Sequence, residues 1–402
     1  MARRATAPKR LTAANLAGLG PERLGALLMQ AADSDAILKR RLRLVLAAEA
    51  GPDLLAVELD KRLTALAASR ARVSWRKRPE LLRDLEVLRT AVVEDLAEAA
   101  PALALERVIA WFDLFRALAT RVKDPRGEMT AAFEAAAPDL WRLGEAALAT
   151  DPAALDRLAE AITRQPLEYA RWIGAADQAV SPDLARGLLD RLDLAAGVRG
   201  TRTVLRRLAD RAGDLDLWLS LATPEEKAAP DFAAAAALRL VEAGRVVEAR
   251  AALEASLVPS PSNRKWTFGR SPNAPPPRLT PAWEAAGIAV LDAEGRRDEA
   301  QSMRWAMFER DLSAQALRDY LARLPDFDDV EALDRALAHA ATYADAEAAL
   351  GFLMDWPAHR EAAALVESRN RELRGALPQK ADWAARLAQR FPAAAERLLD
   401  TP

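Results

Sequence analysis

Along most of the chain, apolar residues recur every three or four positions with polar residues between them, which is the period of a helix. Leu81, Leu85, Leu88, Val92 and Leu96 form one such stripe. Leu105, Ile109, Phe112 and Phe115 resume it after Pro101, a residue suited to a first helical turn. Asp151-Pro152, Ser181-Pro182 and Thr280-Pro281 each join a capping side chain to a proline and predict helix starts. Beyond residue 311 the pattern predicts three more faces: Leu317, Tyr320, Leu321 and Leu324; Leu333, Leu337 and Ala341; Leu350, Phe352, Leu353 and Trp356. Gaps in the pattern are short, so neighbouring helices are expected to be antiparallel.

One internal match suggests repetition. LRLVEAGRVVEARAAL surrounds Gly244 and IAVLDAEGRRDEAQSM surrounds Gly295. Both run from an apolar helix through Gly-Arg and two further residues to an acid and an alanine, Glu248-Ala249 and Glu299-Ala300. In the hairpin of a tetratricopeptide-like repeat, glycine ends the first helix in a left-handed conformation and alanine lets the second helix approach closely. The glycines lie 51 residues apart, about one 34-residue repeat and an insertion of 17. The stretch that holds the insertion, 258–282, is rich in Pro, Ser and Asn and is expected to be non-helical. The chain therefore divides into a basic tail 1–10, a basic helical domain 11–125, a middle region 126–230 of shorter helices, and helical repeats over 231–402. The fold class is all-α: a tetratricopeptide-like solenoid preceded by a helical bundle.

Composition sharpens this picture. Ala, Leu, Arg and Glu dominate, all helix formers, and β-branched residues are sparse. With no cysteine, disulfides, thiolate metal sites and cysteine nucleophiles are excluded. The two histidines, His339 and His359, are too few for a multi-histidine metal site. No apolar run is long enough to span a membrane, and MARRATAPKR lacks the apolar core of a signal peptide, so a cytoplasmic location is expected. The net charge of −2 conceals a split. Residues 1–83 hold 17 Lys and Arg against 8 Asp and Glu; the remainder holds 40 against 51. Such a split suits either an anionic partner or mutual attraction between the two parts.

The stretches LGPERLGALLMQAA, LKRRLRLVLA and SRARVSWRKRPELLRDLEVLR resemble an uncharacterised bacterial domain-of-unknown-function family. The segment WEAAGIAVLDAEGRRDEAQSMRWAMFERDLSAQALRDYLARLPDFDDVEALDRAL is similar to that family's C-terminal half. The resemblance covers most of the chain and is weakest at about 126–230. It implies a helical-repeat protein and carries over no activity.

Two sets of residues are candidates for binding. Lys39, Arg40, Arg41 and Arg43 form one basic cluster, and Arg70, Arg72, Arg76, Lys77, Arg78 and Arg83 form another with Trp75 interleaved. Arginine forks match phosphate oxygens, and an aromatic ring can stack on a base. Val73 and Trp75 equally suit the anchoring of a short linker, and such cations often pair with acids of neighbouring helices. In the insertion, Arg264, Lys265, Trp266, Phe268 and Arg270 read either as a partner-contact loop or as a loop tacked onto the array.

Catalytic signals are poor: no phosphate-binding glycine loop, nucleophile elbow or zinc-protease signature is present. His339 reads as a packing residue and His359 as an exposed one near a helix start. Asp326, Asp328 and Asp329 read as favouring the N-terminus of a following helix and not as a cation site. Trp111, Trp141, Trp172, Trp218, Trp283, Trp305, Trp356 and Trp383 read as fillers between helices. The expected function is a non-enzymatic protein-interaction scaffold with a protein or peptide partner and no cofactor, metal or membrane. The alternative is a nucleic-acid-binding helical array that uses the N-terminal basic clusters.

Overall fold

A computed structural model describes residues 11–192, 198–257, 279–373 and 379–400. The described residues are predominantly helical and contain no strands; one isolated bridge pairs Val73 with Val122. Among them, no helix is long and apolar enough to cross a membrane. The chain divides into two compact units, Met1–Leu221 and Ala222–Pro402.

The first unit holds α1 (Ala13–Ala17), α2 (Pro21–Ser34), α3 (Ala36–Ala50), α4 (Pro52–Ala68), α5 (Arg78–Thr90), α6 (Ala97–Ala99) and α7 (Pro101–Ala119). It continues with α8 (Glu128–Leu148), α9 (Ala153–Arg164), α10 (Pro166–Ala175), α11 (Pro182–Leu189), α12 (Thr201–Ala212) and α13 (Leu215–Ser220). Local chemistry sets these boundaries. The Asp35 carboxylate accepts from the backbone N–H of Ile37 (2.9 Å) and Leu38 (3.1 Å) at the start of α3. Those bonds hold its pKa below the usual carboxylate range. Ser181 caps α11 through the N–H of Leu184 (3.2 Å), and Pro21, Pro52, Pro101, Pro166 and Pro182 open their helices where no intrahelical donor is needed.

One core runs from Leu44 to Ala212 and crosses residue 125, where a domain boundary was expected. Aromatic packing gives the reason. Trp111, Phe112 and Phe115 on α7 meet Phe133 on α8 and Trp172 on α10, with ring centroids 4.2 Å apart for Trp111 and Phe133 and 5.0 Å for Phe115 and Trp172. The Trp111 indole N–H donates to Leu85 O (3.0 Å), which ties α5 to the same cluster. The region past 126 also departs from the expected short helices: α8 spans 21 residues with Pro138 inside it. A π-helical stretch, Ala91–Leu96, follows α5 and carries Val92 and Leu96 of the predicted stripe into the core.

The second unit holds α14 (Pro224–Lys227), α15 (Pro230–Glu242), α16 (Val246–Leu257), α17 (Pro281–Ala293), α18 (Arg297–Asp311) and α19 (Ala314–Leu321). It ends with α20 (Asp328–Thr342), α21 (Ala346–Asp355), α22 (His359–Arg369), α23 (Lys380–Ala388) and α24 (Pro392–Leu399). Helix α17 begins at Pro281, inside the stretch read as an insertion, because Thr280 accepts from the N–H of Trp283 (3.2 Å). The main packing partners are near neighbours along the chain: α15 with α16 and α17, α17 with α18, α18 with α19, and α21 with α22.

The two Gly-Arg turns have the same geometry. Gly244 and Gly295 sit at φ +74° and +75°. Past each, an N–H reaches back five residues: Arg245 N to Leu240 O (2.7 Å), and Arg296 N to Leu291 O (2.9 Å). The recurring arginine and acid are ion partners, with Arg245 Nε 2.7 Å from Glu248 Oε1 and Arg296 Nε 2.6 Å from Glu299 Oε1. Ala249 and Ala300 are fully buried between helices. A third turn follows the same plan without a glycine. Ala358 N donates to Leu353 O (2.9 Å) past Pro357, and Glu361-Ala362 repeats the acid-alanine pair with Ala362 buried.

Candidate functional site

Two surfaces of the first unit carry side chains that the core does not use. The first is a groove of about 550 Å³ between α3 and α4, lined by Arg43, Leu46, Ala47, Leu54, Val57, Glu58 and Lys61. Leu46 is 70% exposed, Leu54 54% and Val57 48%, an unusual loss of burial for large apolar side chains. Helix α2 shows the same deficit: Leu27, Leu28 and Met29 are exposed, and Ala32 is its buried residue. Glu58 is paired with Lys61 in the groove wall, while Arg43 makes no ion pair among the described residues.

The second surface is built from two loops. Residues 69–77 join α4 to α5, and residues 120–127 join α7 to α8. Val73 N donates to Arg121 O (3.0 Å), which locks the loops side by side, and Val122 is buried beneath them. The Arg121 guanidinium reaches Leu66 O (2.5 Å), and burial holds its pKa below the usual arginine value. Asp124, the acid of residues 120–127, is engaged locally: its two oxygens accept from Glu128 N and Met129 N, both at 2.9 Å. Residues 69–77 contain no acid at all. Arg70, Arg72, Arg76, Lys77, Lys123 and Arg126 on these loops are exposed. Trp75 is 65% exposed, with the Arg76 guanidinium 5.1 Å from its ring centroid.

The basic residues singled out from sequence thus have different roles. Arg78 is buried and structural: Nε donates to Glu128 Oε2 and a terminal nitrogen to Lys123 O, both at 2.8 Å. Arg40 is turned inward onto Asp84, a buried carboxylate that it shares with Arg62, whose Nε lies 2.9 Å away. Neither is available to an external anion. Lys39 forms an exposed pair with Asp33 (3.2 Å), and Arg43 lines the groove. Arg70, Arg72, Arg76 and Lys77 remain as an exposed group with no carboxylate partner among the described residues. Lys123 and Arg126 were missed from sequence. Their signal was the basic run TRVKDPRG, whose proximity to 69–77 depends on a single backbone bridge. The loop candidates Arg264, Lys265, Trp266, Phe268 and Arg270 lie outside the described residues.

The remaining chemistry-bearing residues are engaged in packing and capping. His339 Nε2 lies 2.9 Å from Glu309 O, and its ring meets Phe308 and Tyr343 edge-on. His359 opens α22 half-buried, 3.4 Å from the Arg386 guanidinium, where exposure was expected. Asp328 and Asp329 occupy the first turn of α20. Among the tryptophans, Trp111, Trp141, Trp172, Trp218, Trp283 and Trp383 are buried. Trp283 donates its indole N–H to Ser256 Oγ (2.9 Å) and so pins α17 to α16. Among the described residues, no group of three or more acids and histidines is arranged to hold a metal ion.

The sequence profile of a family of unknown function (DUF6880) matches the chain twice, over residues 6–196 and 195–401. No curated protein matches it.

Proposed function

The chain belongs to the DUF6880 family, and we propose that it is a non-enzymatic protein-interaction scaffold whose α3–α4 groove receives an amphipathic helix of a partner protein. The carrying observation is the exposure of Leu46, Leu54 and Val57 along a groove of about 550 Å³. A large apolar side chain left in water forgoes about 1.5–3 kcal/mol of burial, and a helix laid into the groove recovers it. Arg43 on the wall, which makes no ion pair among the described residues, favours a partner helix flanked by acids. The second unit is read as a tetratricopeptide-like array. The repeated turns at Gly244, Gly295 and Pro357, and the packing of helices onto chain neighbours, support that reading.

A photo-crosslinking amino acid placed at Leu46 tests the groove, with the same residue at exposed Val247 as the control. The proposal expects one protein adduct at Leu46 that is absent from the control. The adduct should map to an amphipathic helix with acidic flanks and be lost on Arg43→Glu. Identical adducts at both positions, an adduct with a second copy of the chain, or none in the native host would overturn it. Leu46 is exposed enough for its replacement to leave the helical circular-dichroism signal unchanged.

A further inference from the structure

We infer that the bridged loops 69–77 and 120–127 form a docking surface for the phosphate backbone of single-stranded nucleic acid, with Trp75 as a base-stacking platform. The inference is independent of the α3–α4 groove. Three observations converge on it. Arg70, Arg72, Arg76 and Lys77 from one loop are joined by Lys123 and Arg126 from the other, all exposed and none ion-paired among the described residues. The only acid in the two loops, Asp124, has both oxygens bonded to the first turn of α8 and lies within ion-pair distance of buried Arg78, so it forms no ion pair with any of these six cations. The surface is also held in place. The Val73–Arg121 backbone bond fixes the loops to each other, and buried Arg78 ties the start of α5 to Lys123 O. A charged surface that is already ordered loses little conformational freedom on binding.

The aromatic residue selects among polyanions. A 65% exposed indole beside an arginine contributes nothing to simple charge attraction, yet it offers a π-face to an unpaired base. In duplex nucleic acid the base faces are already stacked on one another. An acidic membrane surface would favour an apolar helical face beside the cations, whereas these cations stand on polar loops.

The test is fluorescence anisotropy of a labelled oligouridylate against the full chain, with heparin, duplex RNA and phosphatidylserine vesicles as comparison arms. Neutralising about six phosphates of a single strand predicts a log–log salt slope near −4, or about 300-fold weaker binding between 50 and 200 mM salt. Lys123→Ala with Arg126→Ala should reduce the slope by about 1.4, and so should Arg72→Ala with Arg76→Ala. Trp75→Ala should weaken the oligouridylate by about 5- to 150-fold and leave heparin binding unchanged. These replacements are on exposed side chains, and a preserved thermal transition confirms that each variant is folded. The inference fails if the wild-type chain does not bind oligouridylate at 50 mM salt. It also fails if the Lys123/Arg126 variant keeps the full slope, or if Trp75→Ala is silent. Equal or tighter binding of vesicles or duplex would assign the surface to those ligands and overturn it.

Discussion

Three glycines with positive φ separate backbone strain from crowding. Gly244 and Gly295 lie at φ +74° and +75°, and a Cβ added to either meets nothing within 4 Å. Replacement by alanine should therefore incur only the cost of a left-handed L-residue, roughly 1–2 kcal/mol. Asparagine tolerates that region better, so Gly244→Asn should cost clearly less than Gly244→Ala. Gly200, at φ +97°, adds a collision: its Cβ would lie 2.5 Å from both Cα and N of Leu167, backbone atoms of α10 that cannot turn aside. Overpacking adds to the backbone strain, so Gly200→Ala should cost about 2–5 kcal/mol. The assay is urea unfolding followed by tryptophan fluorescence. The two units need not unfold together, so each variant is read in the transition it shifts. Gly200→Ala should move the transition that reports Trp172, and Gly244→Ala the one that reports Trp283. If Gly244→Asn were as costly as Gly244→Ala, or Gly200→Ala no costlier than Gly244→Ala, the assignment of these costs would be wrong.

Two further outcomes are expected. Arg78→Ala should destabilise the first unit by about 3 kcal/mol, because it leaves Glu128 and Lys123 O without their buried partner; Arg76→Ala should stay within about 0.5 kcal/mol, and equal effects in urea titrations would erase the distinction. Hydrogen bonding from Arg250 lowers the Glu294 pKa below its ordinary 4.5 and is reinforced by Arg296, so its stabilisation is complete above that value and lost as pH falls through the lowered pKa. The urea midpoint of the second unit should consequently drop more steeply below pH 4.5 in the wild type than in Glu294→Gln, and parallel acid limbs would show that the pair contributes nothing.

The sequence revealed most where one residue type answers one local need. Thr280-Pro281 and Ser181-Pro182 marked true helix starts because cap and proline act within a single turn. The Gly-Arg turns were legible because positive φ selects glycine and the arginine pairs with an acid three residues on. The third turn was hidden because Pro357 occupies the glycine's place, so only the buried Ala362 and the Leu353 bond betray it. The continuity of the first core was equally hidden. It depends on Phe115, Phe133 and Trp172 meeting across the α7–α8 loop, and periodicity says which face of a helix is apolar but not which helix covers it.

The basic clusters show the same limit for function. Residues 72–78 are uniformly cationic by charge count, yet Arg76 is exposed and Arg78 is buried two positions later, because α5 begins there and turns one side chain toward Glu128. The excess charge of the N-terminal part thus has two fates. Arg40, Arg62 and Arg78 spend theirs on Asp84 and Glu128, within the first unit, and this internal pairing is what fixes the helices that carry the loops. Arg70, Arg72, Arg76 and Lys77 are left over because 69–77 has no acid and the neighbouring Asp124 is consumed as a helix cap. A cation whose carboxylate is supplied by the fold stabilises the fold; one denied a carboxylate by the same fold stays open to an external anion. That division is why we place the proposed anion-binding surface on the loops, where six exposed cations lack an ion partner among the described residues, and not on α3, where Arg40 turns onto Asp84 and Lys39 pairs with Asp33.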